Sequence, residues 1–510
     1  MVVRARVDFS SNDTMPGANA PATAVSTPRF AKLLIDGADC YAGNDATFER
    51  LNPITGEVAT IADAATNEDA MRAAGAAAAA FPAWAASTPT FRRNLLDKAA
   101  TILAGREAAI TDIMMAETGA TRAWCAFNVR LGSQVLRDAA GMTTHVSGSI
   151  IPTDRPGVTA FAIRQPAGVC LAIAPWNAPI ILGVRSIAMA LACGNTVILK
   201  ASELCPATHR AIGDVLVEAG IPAGVINIIS NAPADASAIV EALIAHPVIR
   251  RINFTGSTRV GRIVAQSAAK HLKRCLLELG GKAAFVVLDD ADLDEAVKAA
   301  AFGAFFNQGQ ICMSTERIIV MDAVADEFAA RFRAKAKTLK AGDPVRGHMP
   351  LGSLVTSDSA RRVRMLIDDA VGKGAILLAG GESHDAFMDA TVLDHVSRPM
   401  RLYREESFGP VAVIIRVADA DEAITVANDC DYGLSGAVFG RDIMRAMDVA
   451  RRIESGICHI NSATVADEPQ MPFGGVKASG YGKFGGMAAL DEFTELRWIT
   501  LSTQPGDYPI

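Results

Sequence analysis

The sequence lacks any uninterrupted apolar stretch of the roughly 18 residues that a membrane span requires. Residues 1–28 mix charged residues with Pro, Ser and Ala and have no apolar core of the kind found in signal peptides. There is no long basic run, and 49 basic residues against 55 acidic ones give a net charge of −6. We therefore expect neither nucleic acid nor membrane as a partner, and we predict a flexible N-terminal tail over residues 1–28.

Metal-binding and disulfide patterns are also lacking. The nine cysteines are scattered and odd in number, and they form no CxxC pair and no Cys/His cluster at metal-ligand spacing. None of the eight histidines falls in a recognisable motif. The sequence thus predicts no metal site and no Cys–His pair, and reduced thiols favour a cytoplasmic location.

The length and the apolar pattern indicate a multidomain α/β protein. A chain of 510 residues, 50% hydrophobic and 20% charged, is typical of a soluble globular enzyme with about two or three domains. A first series of alternating strands and helices is predicted at 169–174, 180–192, 196–199, 207–219, 225–229, 235–245, 249–254 and 258–271. A second series is predicted at 284–288, 293–306, 317–321, 328–339, 411–417, 422–428 and 434–439. Such alternation predicts parallel, doubly wound sheets.

Three other segments stand outside these two series. Residues 144–164 alternate in polarity, and residues 494–502 resemble a strand with no obvious partner in its own domain. The alanine-rich run 73–86 contains Gly75 and Pro82, and these predict a helix followed by a turn.

Cys312 and Glu278 are the residues most suggestive of chemistry. A cysteine thiolate attacks an aldehyde readily, and the resulting thiohemiacetal can pass a hydride to a nicotinamide. A carboxylate can then activate the water that hydrolyses the remaining thioester. Taken alone, however, Cys312 also fits a small buried hydrophobe, and Asn177, which precedes Ala178-Pro179, also fits a turn.

Six ordered motifs decide between these interpretations. They are Pro175-Trp176-Asn177, Lys200-Ala201-Ser202-Glu203, Phe254-Thr255-Gly256-Ser257-Thr258, Leu277-Glu278-Leu279-Gly280-Gly281-Lys282, Gly309-Gln310-Ile311-Cys312 and Glu406-Ser407-Phe408-Gly409-Pro410. In this order they resemble the aldehyde dehydrogenase superfamily, from about residue 30 to about residue 501. The resemblance implies a Rossmann-type NAD-binding domain (29–143 and 165–279) and an α/β catalytic domain (280–490). It also implies a β oligomerisation arm (144–164 and 491–510), and hence a homodimer or homotetramer.

The resemblance also assigns roles in the reaction. Cys312 becomes the nucleophile, Glu278 the general base, and the Asn177 amide an oxyanion donor together with the backbone N–H of Cys312. The presence of Glu278 speaks against relatives that transfer the acyl group to coenzyme A. The residues implied to bind the cofactor are Trp176, Lys200, Glu203, Gly256, Ser257, Leu279, Glu406 and Phe408.

The implied cofactor is NAD rather than NADP. A carboxylate at Glu203 can accept hydrogen bonds from a ribose diol and would repel a 2′-phosphate, although some relatives with a glutamate here use either cofactor. Small residues around Gly256 and Ser257, at the start of a predicted helix, can approach a phosphate. In isolation, the same segment also fits an ordinary βα turn.

The resemblance places a substrate tunnel around Ala178, Arg185, Phe306, Ile311, Met313 and Val465. Arg185 there could contact a ring substituent or a carboxylate, or could simply form a salt bridge. Longer stretches look like the bacterial salicylaldehyde, vanillin and benzaldehyde dehydrogenases, so the prediction is an aromatic aldehyde oxidised to its acid. Two alternatives are an aliphatic aldehyde or semialdehyde with the same mechanism, and a catalytically silent structural protein.

Overall fold

The computed structural model describes residues 27–506, 508 and 510. Most of the predicted tail, residues 1–26, lies outside this range. The N-terminal part contains β1 (Arg29–Ala31), β2 (Leu33–Ile35), β3 (Ala38–Cys40), β4 (Thr47–Leu51), β5 (Val58–Asp63), α1 (Asn67–Ala85), α2 (Pro89–Gly105), α3 (Glu107–Thr118) and α4 (Arg122–Met142).

The elements that follow form the first predicted series and the segment before it. They are β6 (Ser149–Ile151), β7 (Val158–Pro166), β8 (Val169–Ile173), α5 (Pro179–Ala192), β9 (Thr196–Lys200), α6 (Pro206–Ala219), β10 (Ile226–Ile229), α7 (Ala236–Ala245), β11 (Ile249–Thr255), α8 (Thr258–Lys270) and β12 (Arg274–Glu278).

The rest of the chain contains the second series and the C-terminal strand. Its elements are β13 (Ala283–Val287), α9 (Leu293–Phe305), β14 (Thr315–Met321), α10 (Asp322–Lys337), α11 (Ser357–Gly372), β15 (Ile376–Ala379), β16 (Ser383–His384), β17 (Phe387–Met388), β18 (Thr391–Asp394), α12 (Arg401–Arg404), β19 (Val411–Val417), α13 (Ala420–Asn428), β20 (Tyr432–Gly433), β21 (Ser435–Phe439), α14 (Ile443–Arg452), β22 (Ile457–Ile460), β23 (Val476–Lys477), β24 (Gly480–Tyr481), α15 (Gly486–Phe493) and β25 (Thr494–Ser502).

Two large sheets confirm the predicted α/β architecture. The first has the order β24-β12-β11-β8-β9-β10-β2-β3, and its five central strands are parallel. Strands β8, β9 and β10 are buried along their whole length because helices cover both faces of the sheet. The second sheet has the order β15-β18-β19-β14-β13-β21-β22 and is parallel except for β15.

The predicted strand at 494–502 is confirmed, and the structure supplies its partner. Strand β25 pairs antiparallel with β7 along its full length, from Thr494 opposite Pro166 to Ser502 opposite Val158. Strand β6 completes this three-stranded sheet. Both faces of this sheet expose large apolar side chains: Ile150, which is 74% exposed, lies on one face and Trp498, which is 73% exposed, on the other.

One local prediction was wrong. The alanine-rich run forms part of a single helix, α1, which continues through Gly75 and Pro82. Small alanines on one face of the helix pack into the core, and this tertiary packing outweighs the propensity of the two helix breakers. Pro82 lacks the N–H that would donate to the carbonyl four residues earlier, but only three helical residues follow it.

Among the residues that the structure describes, no helix is both long and apolar enough to cross a bilayer.

Candidate active site

A cavity of about 820 Å³ opens where the carboxyl ends of the first sheet's parallel strands face the second sheet. Crevices at this edge of a doubly wound sheet are the usual place for ligands. The wall brings together residues that lie far apart in the sequence, namely Asn177, Ser257, Glu278, Cys312, Glu406 and Phe408. The structure therefore gathers all three predicted catalytic residues with several of those predicted to bind the cofactor.

A constrained loop carries Cys312 into this cavity. Between α9 and β14, the residues Asn307, Gln308 and Gly309 adopt left-handed backbone conformations with φ of 48°, 55° and 67°. A Cβ atom on Gly309 would overlap the carbonyl oxygen of Gly409, so only glycine fits at this close approach. The loop before the thiol is thus held directly against the loop that follows Glu406.

Position in the cavity, rather than acidity, distinguishes Cys312 from the other thiols. Burial and the nearby Glu278 carboxylate raise the pKa of the Cys312 thiol well above its usual value. Burial likewise raises the pKa of Cys193 to about 12 and that of Cys275 to about 11, but those two thiols pack in the hydrophobic cores. Attack by Cys312 therefore requires that the thiol first lose its proton.

Glu278 ends strand β12 and is the strongest candidate base. Its side chain is buried, with 1% exposed, and neither carboxylate oxygen has a hydrogen-bond partner among the described residues. Burial raises the pKa of this carboxyl to about 7, while the Cys312 thiol and the positive charge of Arg185 act in the opposite direction. A carboxyl with such a pKa can take up and release a proton near neutral pH.

The two glycines after Glu278 allow other parts of the site to approach closely. A Cβ on Gly280 would lie 2.6 Å from a carboxylate oxygen of Glu406, and one on Gly281 would overlap the carbonyl oxygen of Cys312. The backbone N–H of Gly281 also donates to Glu406, over 2.8 Å. These glycines therefore permit direct contact between the segments that carry Glu278, Cys312 and Glu406.

Asn177 is fixed from several sides at the end of strand β8. Its side-chain Nδ2 donates to the carbonyl oxygen of Gln310 over 3.0 Å, which leaves the second N–H of the amide for a ligand. Its backbone carbonyl accepts from Trp124 Nε1 at 2.9 Å and from Asn307 Nδ2 at 3.1 Å. Trp124 was not found by sequence reasoning because α4 carries none of the six motifs.

A second cavity of about 610 Å³ shares Trp176, Gly256 and Ser257 with the first and reaches Lys200 and Glu203. Ser257 caps α8, so the N-terminus of that helix faces the shared wall. A helix N-terminus suits a phosphate, and the carboxylate of Glu203 suits a ribose diol. The residues present therefore fit a dinucleotide that extends from Glu203 to Cys312. Leu279 packs against Gly261 of α8 and lines the first cavity.

The loop containing Glu406 and Phe408 rests on a buried ion pair. Glu316 pairs with Lys282, and its carboxylate also accepts from the backbone N–H groups of Ser407, at 2.8 and 2.9 Å, and Phe408, at 3.2 Å. The ring of Phe408 meets that of Trp176 edge to face, with centroids 5.7 Å apart. Burial, with the charge of Glu316 as the second cause, raises the pKa of Glu406 to about 8.

Sequence reasoning assigned no role to Lys282 or Glu316, although both lie in stretches that carried the resemblance. It also missed Arg362 of α11, which donates to the carbonyl oxygens of Glu406 and Ser407. No linear pattern marks this arginine, because the contact depends on how α11 packs against the loop.

The residues predicted to form the tunnel lie mostly in one cluster. Ala178, Ile311 and Met313 are buried in the same hydrophobic core, and Phe306, Val465 and Cys312 pack against it. Phe306 meets Trp124 edge to face with ring centroids 5.0 Å apart. This aromatic pair lies beside Asn177, whose carbonyl accepts from Trp124 Nε1.

Arg185 forms a salt bridge, one of the two interpretations that the sequence left open. Its Nη2 lies 2.6 Å and 2.8 Å from the two carboxylate oxygens of Asp467, and its guanidinium lies 4.5 Å from the centroid of the Phe473 ring. The pair is almost entirely buried. Contact between Arg185 and a substrate stays a prediction. Over the described ranges, no three His, Cys, Asp or Glu side chains are arranged to hold a metal ion.

Comparison with known proteins agrees with this geometry. The sequence pattern of the Aldehyde dehydrogenase family matches residues 41–499. The chain is 59% identical to a vanillin dehydrogenase of Pseudomonas fluorescens, across 94% of this chain and 99% of that protein. It is 50% identical to a salicylaldehyde dehydrogenase of Pseudomonas sp. strain C18, with the same coverage. The crystal structure of a salicylaldehyde dehydrogenase from Pseudomonas putida G7, complexed with salicylaldehyde, superposes with a TM-score of 0.93 at 49% identity, covering 94% of this chain and 100% of that one.

Proposed function

The chain belongs to the aldehyde dehydrogenase family, whose members use NAD or NADP, and we propose that it oxidises aromatic aldehydes to carboxylic acids with NAD. The observation that carries this proposal is the unpaired, buried Glu278 carboxylate beside the Cys312 thiol, in a cavity that also contains Glu406 and Phe408. A nucleophile, a base and a cofactor site in one cavity are what aldehyde oxidation through a thioester requires.

In the first step, the Cys312 thiol loses its proton to solvent, the sulfur attacks the aldehyde carbon and the carbonyl oxygen becomes an oxyanion. The free N–H of the Asn177 amide and the backbone N–H of Cys312 stabilise that oxyanion. Losing one such donor typically costs about 100- to 1,000-fold in rate. Trp124 and Asn307 keep the Asn177 backbone in place through their hydrogen bonds to its carbonyl.

When bound, NAD would supply the acceptor for the hydride of the thiohemiacetal carbon, and a thioester on Cys312 would remain. Glu278 then takes a proton from a water molecule, which attacks the thioester and releases the acid and the thiol. Glu406 and Phe408 would hold the nicotinamide end of the cofactor. Lys200 and Glu203 would hold the adenosine ribose, and Gly256, Ser257, Leu279 and Trp176 line the two cavities between these groups.

NAD is favoured over NADP because the Glu203 carboxylate, which we propose binds the adenosine ribose, would repel a 2′-phosphate. It accepts a hydrogen bond from Lys200, so the positive charge of that lysine is already neutralised. A 2′-phosphate would meet a carboxylate there instead of a free ammonium group.

An aromatic substrate is favoured by the cluster of aromatic rings that Trp124, Phe127 and Phe306 form next to Asn177. Edge-to-face contacts with such rings are worth about 0.5–1.5 kcal/mol each beyond the area they bury. The relatives are named for vanillin and salicylaldehyde, which are both substituted benzaldehydes. Among the residues predicted to line the tunnel, Arg185 is positively charged and could face a ring substituent. Its salt bridge with Asp467 holds it in place.

The sheet formed by β6, β7 and β25 supports assembly into a homodimer or homotetramer. It exposes apolar side chains that contact with another subunit would bury. All nine cysteines are free, which fits a reducing compartment such as the cytoplasm.

Two measurements test the proposal. Purified enzyme is assayed with NAD on benzaldehyde, vanillin, salicylaldehyde, succinic semialdehyde and hexanal; an order of magnitude in kcat/KM, about 1.4 kcal/mol, in favour of hexanal would refute the aromatic assignment. Glu278→Gln is then mixed with the best aldehyde. We expect up to one NADH per active site followed by a stall, and steady turnover at the parent rate would remove Glu278 from the base role.

A further inference from the structure

Asn231 lies just beyond the end of strand β10, next to the end of β9, where Lys200 is opposite Ile229. Its side chain is fully buried, and its Nδ2 donates to Glu203 Oε1 at 3.1 Å and to the carbonyl oxygen of Ala232 at 2.8 Å. Asn231 does not line the cavity that contains Glu203. Any effect on a bound cofactor must therefore pass through the Glu203 carboxylate.

Glu203 is the more exposed member of its ion pair. Its side chain is 21% exposed, whereas that of Lys200 is 6% exposed, so the carboxylate can rotate towards water while the ammonium group stays in place. Both Lys200 and Asn231 donate to the same carboxylate oxygen, Oε1. Within the described part of the chain no group donates to Oε2, and this oxygen remains for a ribose hydroxyl.

We infer that Asn231 is a positioning residue that makes the site selective for NAD, because it holds Glu203 over Lys200; this inference depends on the proposed NAD-dependent function. Without Asn231, the carboxylate is free to turn away and expose a buried ammonium group. A 2′-phosphate would then find an attractive cation where it now finds a fixed anion. A hydrogen bond to a charged group is strong enough for its loss to change the ratio of two affinities about tenfold.

The test compares kcat/KM for NADP with kcat/KM for NAD, with the same aldehyde. In Asn231→Ala we expect this NADP:NAD ratio to rise about tenfold, with most of the change in KM for the two cofactors. The matched control is Asn227→Ala. Asn227 lies within β10, four residues before Asn231, and is equally buried, but it donates to Gly224 and accepts from the Asp36 N–H, away from Glu203. Its ratio should stay within about twofold of the parent.

A third variant shows whether Asn231 acts through Glu203. In a Glu203→Ala background, the further change Asn231→Ala should leave the ratio within about twofold, since the carboxylate is already gone. If Asn231→Ala does not fold, Asn231→Leu makes the same test, because leucine keeps the branched shape without the N–H donors.

An unchanged ratio in Asn231→Ala overturns the inference, and so does an equal rise in Asn227→Ala or in the Glu203→Ala background. The parent enzyme tests the proposed function separately. A parent ratio above one refutes the assignment of NAD whatever the variants do. A parent ratio below one that Asn231→Ala does not move refutes only the role of Asn231.

Discussion

Breaking the buried ion pair between Lys282 and Glu316 should destabilise the protein more than losing any surface pair. The side chains are 1% and 3% exposed, so neither charge can turn to water when its partner is removed. Removing one partner of a buried pair typically costs about 3–5 kcal/mol, because the other charge stays buried and uncompensated. Exposed pairs are usually worth only about 0–1 kcal/mol.

The substitution Glu316→Gln tests how much breaking this ion pair destabilises the protein. The glutamine oxygen can replace Oε1 and keep accepting from the Ser407 and Phe408 N–H groups. Its amide nitrogen then takes the place of Oε2, which accepts from Lys282 in the parent. A donor would thus face a buried ammonium group, and we expect a loss of about 3–5 kcal/mol in the free energy of unfolding.

Adding Lys282→Met to Glu316→Gln should restore part of the loss, because the uncompensated ammonium group is then gone. Thermal unfolding is measured for the parent, for Glu316→Gln and for the double variant. The parent should have the highest Tm, the double variant an intermediate one and Glu316→Gln the lowest. Lys298→Met is the matched control, since the pair of Lys298 with Glu295 is 68% and 64% exposed. If Glu316→Gln changed Tm no more than this control, or if the double variant were the least stable, the reasoning would be wrong.

Three further outcomes are expected. Because Glu278 must be deprotonated to activate water and its pKa is about 7, hydrolysis of the thioester should fall about tenfold per pH unit below that value and level off above it, as measured by steady-state turnover. Trp124→Phe removes the donor to Asn177 and should lower kcat several-fold, whereas Trp84→Phe, which removes a bond to Leu191 elsewhere, should leave kcat unchanged. Gly309→Ala should abolish turnover through overlap with the neighbouring backbone, while Gly372→Ala, which meets no atom within 4 Å, should have no effect.

Much of the fold could be predicted because buried parallel strands form continuous apolar runs. Strand β9 was predicted at 196–199 and observed at Thr196–Lys200, and β19 and β25 match their predicted bounds. Which strands pair with each other was harder to predict, since the pairing of β25 with β7 joins segments separated by more than 300 residues. Helix α1 was predicted too short because local propensity ignores packing.

The candidate site was predictable only where a motif marks the chain. Cys312, Glu278 and Asn177 lie in such motifs, and the structure brings them to one cavity. Trp124 and Arg362 lie on helices without a motif, and their hydrogen bonds to the site depend on helix packing. Lys282 and Glu316 are plain in the sequence, but nothing in the sequence indicates that they form an ion pair. They meet because β13 and β14, which begin beside these residues, are neighbouring strands.

Three of the titratable groups in the cavity, Glu278, Glu406 and Cys312, also constrain how its pH dependence can be interpreted. Burial raises the pKa of Glu278 to about 7 and that of Glu406 to about 8, and the charge of each carboxylate raises the pKa of the Cys312 thiol. Each proton gained by a carboxyl therefore makes the thiolate easier to form, and each proton lost makes it harder. These groups titrate as a unit, and an apparent pKa of turnover belongs to the cluster. Glu278→Gln removes one member and its charge, so the pKa of the Cys312 thiol, measured by the rate of alkylation, should fall in that variant. A thiol pKa that stayed the same would show that the two groups are not coupled.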